Sequence, residues 1–205
     1  MTATSRKEKA AETEAALKEA AIRVFARKGY LNTKITDVTA EAGRAAGSFY
    51  NHFAGKEQLL EALLADLAAA SDVRAGDVDH LSDFTDPEAV RWHIREYWDY
   101  YRSHAAIMLA LRQAAMVNDE FAATLASFGA AQAADLHGHL DHIGAAGHRL
   151  PAEAHVSIAM MYQLVEGCAQ LWLLNPTPGW PPPTDEAAVE AMTRFVYRGL
   201  TGRDY

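Results

Sequence analysis

The chain has 205 residues, half of them hydrophobic, a formal net charge of -8 and a single cysteine. That length permits one large or two small domains with a substantial core. There is no run of eighteen apolar residues, and the N-terminal MTATSRKEKAAETE has no apolar core behind it, so neither a membrane span nor a secretion signal is expected and a cytoplasmic protein is the simplest reading. The lone Cys168 excludes an internal disulfide and a multi-cysteine zinc site, and its uncharged neighbours Gly167, Ala169 and Leu171 make it a small hydrophobe rather than a nucleophile.

The negative total conceals an asymmetry. Residues 1–60 carry ten Lys plus Arg against seven Asp plus Glu, the remainder nine against twenty, and every lysine lies at or before Lys56. A basic end on an acidic body suits a protein that meets phosphates with one face only. Chance clustering in a Lys-poor chain would look the same, so charge alone decides little.

In chain order, residues 1 to about 8 read as a disordered basic arm. From about Lys9 to Lys28 the stripe Leu17, Ala21, Val24 and Phe25 predicts an amphipathic helix. Ile35, Val38 and Ala42 predict a short helix, which Gly43 ends, and a second short helix about Ala46 to Phe53 buries Phe49 and Phe53. Its opposite side carries Ala46, Gly47, Ser48, Tyr50, Asn51 and His52, all uncharged and small or hydrogen-bonding. A solvated helix back would be rich in Glu and Lys, so this face fits a DNA major groove better. A helical hairpin inside an ordinary bundle is the alternative for a generic helix-glycine-helix.

The run GYLNTKITDVTAEAGRAAGSFYNHFAGKEQLL, Gly29 to Leu60, resembles the DNA-binding domain of TetR-family (tetracycline-repressor-like) transcriptional regulators. The matching positions are Phe25, Gly29, Tyr30, Thr33, Ile35, Asp37, Val38, Ala42, Gly43, Gly47, Phe49, Tyr50, His52, Phe53, Lys56, Leu59 and Leu60. The resemblance covers roughly the first third of the chain. It implies that the helix after Gly43 is the recognition helix, that Tyr50 and His52 lie against phosphates, and that Lys56 opens the next helix beside the DNA backbone. Ser48, Tyr50 and Asn51, with Ala46 and Gly47, are the expected groove residues. Thr33, Lys34, Arg44, His52 and Lys56 are the expected phosphate contacts.

Four positions depart from the family pattern. Arg44 replaces Val or Ile and should swing out towards solvent or DNA. Ala45 replaces the Ser or Thr that would cap the recognition helix, a loss of about 1 kcal/mol at a typical N-cap. Thr39 replaces Ala, and Lys34 sits where a hydroxyl often caps the first helix of the motif.

Lys56 to about Ala70 carries Leu59, Leu60, Leu63, Leu64 and Leu67, a face wide enough for a lever between two domains. Residues 71–88 read as a linker or short turns. Pro87 opens an unusually aromatic helix to about His104. Further helices are expected over about Ala105 to Val117, Asp119 to Ala145, Pro151 to Leu174, and Asp185 to Leu200 with Val189, Met192, Phe195, Val196 and Leu200 inward. The five prolines from Pro176 to Pro183 demand a loop. No alternation demands a strand. The expected fold is all-α, about nine helices, with a three-helix helix-turn-helix domain over 1–55 and a helical ligand-binding and dimerisation body over 56–205.

One recognition helix contacts too few base pairs for specificity, so a homodimer reading two half-sites of a double-stranded operator is expected. Its seam is expected on the last two long helices, which are apolar around much of their circumference; a buried core helix in a monomer is the alternative. Trp92, His93, Glu96 and Tyr100 on the aromatic helix, with Met160, Gln163, Glu166 and Gly167 on a later one, are the expected lining of a pocket for a small hydrophobic effector. Plain aromatic core is the alternative. His137, His139, Asp141 and His142 invite a metal reading, but the three histidines do not converge on one helix, so a solvated polar face is preferred and no metal or other cofactor is expected. Three function classes remain in view: a DNA-binding repressor released by a small molecule, a DNA-binding regulator whose body serves only dimerisation or a protein partner, and an all-α enzyme using His, Glu and Tyr of the aromatic helix. No sequence-local catalytic motif supports the last.

Overall fold

The computed structural model describes residues 6–75, 80–175 and 177–205, and the side chains of all of these except 70–75. The described residues form α1 (Arg6–Lys28), α2 (Ile35–Glu41), α3 (Ala46–Tyr50), α4 (Lys56–Ala75), α5 (Pro87–Ser103), α6 (Ala105–Ala115), α7 (Asp119–Ala134), α8 (His137–Ala145), α9 (Ala154–Ala169) and α10 (Asp185–Thr201), with a π-helical turn over Gln170–Leu174 and no strand. They divide into two compact units, one of residues up to 74 with 106–125, the other of 75–105 with 126–205.

In the first unit, α1 buries the expected stripe of Leu17, Ala21, Val24 and Phe25 together with Ala20. It stops at Gly29, whose φ of 71° only glycine adopts without strain, and the Gly29 N–H closes on the Phe25 carbonyl at 2.8 Å. All five leucines named on α4 are buried. The helix runs to Ala75, five residues past its expected end, because Ser71 and Asp72 cost a propagating helix only a few tenths of a kcal/mol each and no glycine or proline comes before Gly76. Of the expected linker, residues 76–79 lie outside the described ones, as do residues 1–5 of the expected arm; Arg6 to Glu8 are helical.

In the second unit, α5 and α10 run antiparallel. Arg91, Arg95 and Trp98 with Arg102, spaced along one side of α5, meet Glu190, Glu186 and Asp185 in reverse order, with Arg95 2.5 Å from Glu186 and the Trp98 indole N–H 3.0 Å from Asp185. Asp86 caps α5 by accepting from the Glu88 N–H at 2.9 Å, with Pro87 in the first turn. On α10 the inward residues are Val189, Met192, Val196 and Leu200 as expected, but Phe195 is 67% exposed. Thr193 instead lies inward, its hydroxyl donating to the Val189 carbonyl at 2.7 Å.

The helix expected from Asp119 to Ala145 is two. A turn at Asp135 and Leu136 separates α7 from α8, with the His137 Nδ1 3.0 Å from the Ala134 carbonyl. Phe121, Leu125, Phe128, Leu136, Leu140 and Ile143 keep a helical spacing across the break, so periodicity could not reveal it. The helix expected from Pro151 begins instead at Ala154, and its last turn widens into the π form that ends at Leu174.

Candidate nucleic-acid interface and ligand-site residues

The helix-turn-helix is built from its backbone outward. α2 ends at Glu41 with Ala42 as its C-cap, and Gly43, at φ 63°, reverses the chain so that the Arg44 N–H reaches the Thr39 carbonyl at 2.9 Å. α3 starts at Ala46, and its N-cap residue Ala45 offers no side-chain cap, as its methyl requires. Phe49 and Phe53 pin the helix from below, both buried with ring centroids 5.5 Å apart. Lys34 has no acceptor to cap α2, and Asp37 does so by reaching back: its carboxylate accepts from the Lys34 N–H at 2.9 Å and from the Lys28 ammonium at 2.7 Å, and these bonds hold its pKa below the ordinary carboxylate value.

On the outer side, Ala46, Gly47, Tyr50 and Asn51 are exposed, Tyr50 by 61%, while Ser48 is half-buried. Lys34, just ahead of α2, and Arg44, in the turn before α3, are both exposed, with the Arg44 guanidinium 3.7 Å from Glu12. Other positive charge of the unit is paired with carboxylates: Arg23 and Arg27 both hold Glu41, at 2.8 and 2.5 Å, and Lys18 holds Asp66 at 3.0 Å. Three expected phosphate contacts have internal partners. Thr33 is buried and donates to the Gly29 carbonyl at 2.7 Å. His52 is mostly covered, its Nδ1 3.8 Å from Glu14. The Lys56 ammonium donates to the carbonyls of Tyr30 at 3.0 Å and Thr33 at 2.8 Å and lies 4.3 Å from the centre of the Tyr30 ring. Lys56 thus clamps the turn that precedes α2, and burial pulls its pKa down.

Two residues of this unit escaped sequence reasoning. The Tyr30 hydroxyl donates to Glu57 at 2.6 Å, and the Tyr30 backbone N–H donates to Gln113 of α6 at 2.8 Å. Glu57 looked like ordinary first-turn acid and Gln113 like a solvated polar residue; neither has a local pattern that marks it.

Of the eight expected effector-lining residues, Trp92, His93, Glu96, Tyr100 and Glu166 are half-buried, and Met160, Gln163 and Gly167 are exposed. Trp92 and His93 pack edge to face at 4.8 Å, and Tyr100 lies over His104 with ring centroids 4.5 Å apart. Glu96 is half-buried on α5, and Glu166, half-buried on α9, lies close enough to Tyr97 and Tyr162 to push both phenols up after burial has done so. Met160, at 59% exposed, with Gln163 and Gly167 falls on the outer side of α9. A shallow cleft of about 480 Å³ lined by Gly55, Glu57, Gln58, Glu61, Asn118 and Phe121 belongs to the first unit and touches none of the eight.

The histidines sort differently from the expectation. His137, Asp141 and His142 are exposed, but His139 is 7% exposed and turns inward, so the expected solvated face holds for three of the four residues. His139 meets His93 of α5 and His80, which lies ahead of α5; the three offer nitrogens within 4.8 Å of one another, an arrangement that could hold a metal ion. His80 sits in a turn-rich stretch and its partners are 13 and 59 residues away, so no spacing rule could have assembled the cluster.

A glycine-broken helix pair with an exposed, uncharged second helix, bordered by basic side chains, defines a helix-turn-helix DNA-binding transcriptional regulator. Residues 17–63 match the sequence model of the bacterial regulatory proteins of the tetR family. The HTH-type transcriptional regulator TtgR of Pseudomonas putida is 29% identical over 192 residues, covering 83% of this chain and 84% of that protein. Among solved structures, the transcriptional regulator FadR from Bacillus subtilis in complex with stearoyl-CoA superposes with a TM-score of 0.75 at 18% identity, covering 91% of this chain and 98% of the other. A bacterial regulatory protein of the tetR family from Rhodococcus RHA1 superposes with a TM-score of 0.72 at 18% identity over 97% and 98% of the two chains. Residues 17–63 thus carry a DNA-binding segment of the tetR-family type, and the remainder of the chain shares the fold of such regulators.

Proposed function

We propose that this regulator is a repressor, a cytoplasmic homodimer released from its operator by a small hydrophobic ligand, with residues 1–55 for DNA and 56–205 for ligand and dimerisation. The observation that carries the reading is the outer side of α3: Ala46, Gly47, Tyr50 and Asn51 exposed and uncharged, with Lys34 and Arg44 beside them. Ser48, Tyr50 and Asn51 read the groove and Lys34 and Arg44 take phosphates, with Thr33, His52 and Lys56 holding the motif in shape behind them. Val156, Met160, Leu171 and Phe195 leave apolar surface exposed on α9, the π turn and α10, which supports dimerisation through these elements. No helix among the described residues is long and apolar enough to cross a membrane. Relatives that are transcriptional regulators support a non-enzymatic role.

A ligand can release DNA only by preferring the conformation that does not bind it, with a typical coupling of about 1 to 3 kcal/mol. A hydrophobic effector is supported by the aromatic α5, and the Bacillus regulator of the same fold is in complex with stearoyl-CoA. The exposure of Met160, Gln163 and Gly167 favours a second reading for those three, as part of the dimer face rather than of a pocket. The deciding experiment is binding of purified protein, at about 0.15 M salt, to the DNA flanking its own gene against a scrambled duplex. A preference of about a thousandfold is expected, reversed by an apolar ligand; equal binding to both duplexes overturns the proposal.

A further inference from the structure

His80, His93 and His139 come from three separate places in the chain, the segment before α5, the first half of α5 and the start of α8, yet they present nitrogens to one point. The His80 Nε2 lies 3.1 Å from the His93 Nε2 and 3.0 Å from the His139 Nε2. The buried Phe84 ring supports the group from one side, its centre 4.9 Å from His93 and 5.0 Å from His139, and Trp92 lies 5.3 Å from His80.

Proton bookkeeping makes this arrangement unsatisfactory as a hydrogen-bonded cluster. The His93 Nδ1 donates to the Ala89 carbonyl, four residues back, at 2.9 Å, which leaves its Nε2 as a bare lone pair. The His139 Nδ1 is buried and faces the Asp135 carbonyl, again four residues back, without completing a hydrogen bond of good geometry, and its Nε2 points at His80 in the same way. The single Nε2 of His80 carries either one proton or one lone pair, so whichever tautomer His139 takes, it cannot satisfy both that nitrogen and the lone pair fixed on His93. A cation satisfies all three nitrogens at once. Burial also holds His93, with a pKa near 4, and His139 in the neutral form that ligates.

We propose that His80, His93 and His139 bind a divalent first-row transition-metal ion, with zinc-like geometry, through their three Nε2 atoms, leaving a fourth position for water or a ligand atom. Metal–nitrogen bonds of about 2.0–2.1 Å at a tetrahedral centre place nitrogens about 3.3 Å apart, so the two contacts of His80 need open by only a few tenths of an ångström, and the nitrogens of His93 and His139, within 4.8 Å of one another, settle to the same spacing. The donors are all imidazole with no carboxylate among them, which suits Zn²⁺, Co²⁺, Ni²⁺ or Cu²⁺ and excludes Mg²⁺ and Ca²⁺ as intended occupants. The Ala89 carbonyl supplies the outer hydrogen bond that orients His93 as such a ligand. The site ties the segment before α5 to two helices of the second unit, and its open position is where an effector with a donor atom would meet the ion.

The test uses tag-free, full-length protein stripped with a chelator and titrated with Co²⁺, then Zn²⁺, following visible absorption and stoichiometry by calorimetry. One Co²⁺ per chain with the intense visible bands of a tetrahedral site, displaced by Zn²⁺, is expected. His80→Ala, which removes a ligand outside any helix, should weaken binding by about a hundredfold or more, beyond the range that loss of an outer-shell partner produces. The exposed pair His137→Ala with His142→Ala should leave it unchanged, circular dichroism confirming that both variants stay folded. Absence of a tetrahedral spectrum, or equal affinity in the His80→Ala protein, or loss of binding in the His137/His142 variant instead, overturns the proposal.

Discussion

The backbone N–H of Tyr30 donates to the Oε1 of Gln113 at 2.8 Å, across 83 residues of sequence. Tyr30 begins the turn into α2, so α6 holds the front of the helix-turn-helix by a main-chain bond that, among substitutions at Tyr30, only proline abolishes outright. Gly29 makes the approach possible, since a Cβ there would lie 3.2 Å from the Gln113 oxygen. Gln113→Ala leaves a part-buried N–H without its acceptor and should cost about 1 to 2 kcal/mol. Urea unfolding should show a lower midpoint at unchanged slope; an unmoved midpoint means that water replaces the bond.

Gly43 tests the turn itself. Nothing lies within 4 Å of a Cβ built there, so the only cost of a side chain is its φ of 63°. Gly43→Ala should destabilise by about 1 kcal/mol, and Gly43→Asn by less because asparagine tolerates the left-handed region. Equal melting temperatures for wild type and Gly43→Ala would show that the turn relaxes.

Exposed side chains on α3 should matter to DNA and not to folding. Tyr50→Ala should weaken operator binding by about 1 to 3 kcal/mol, with the melting temperature and oligomeric state unchanged. Unaltered operator affinity removes Tyr50 from the interface.

The salt dependence of binding separates the lysines. Lys34→Ala and Arg44→Ala should each reduce the salt slope by about one unit per chain, about two per dimer. Lys56→Ala strips two carbonyls of their donor, so its main effect should be on stability, with a smaller change in slope. A slope change for Lys56→Ala as large as that for Lys34→Ala means that its ammonium leaves the turn for a phosphate when DNA arrives.

The hydrogen bond from Tyr30, then that from its own backbone N–H and the neighbouring Lys56, hold the Glu57 pKa below its ordinary 4.5. A depressed carboxylate contributes stability that is complete above the unfolded value and fades as pH falls through the folded one. Acid unfolding should therefore weaken the first unit below pH 4.5, and Glu57→Gln should flatten that limb of the stability curve. The Tyr30 pKa moves upward, through burial first and Glu57 second, so the same pair loses stability again as pH climbs past the ordinary tyrosine value of 10.0. An acid limb identical in Glu57→Gln and wild type excludes the pair as its source.

Much of this protein was legible locally. Leu17, Ala21, Val24 and Phe25 marked the buried side of α1, Gly43 the reversal, and Phe49 and Phe53 the underside of α3, because helix period, glycine conformation and the hydrophobic effect act within a few residues. The uncharged outer side of α3 followed from the same period. Tertiary structure decided which polar groups are already partnered. Lys56 and Thr33 looked available for phosphate until their carbonyl partners, 23 or more and 4 residues away, were in place. Met160, Gln163 and Gly167 share a side of α9, but only packing showed that side to be the outer one. The histidines show the division most clearly. Sequence spacing ruled that His137, His139 and His142 do not converge on one helix, while the cluster that forms draws His139 to His80 and His93. An α-helix period relates residues within a turn or two; the meeting of nitrogens 13 and 59 residues apart is a property of how α5 and α8 pack.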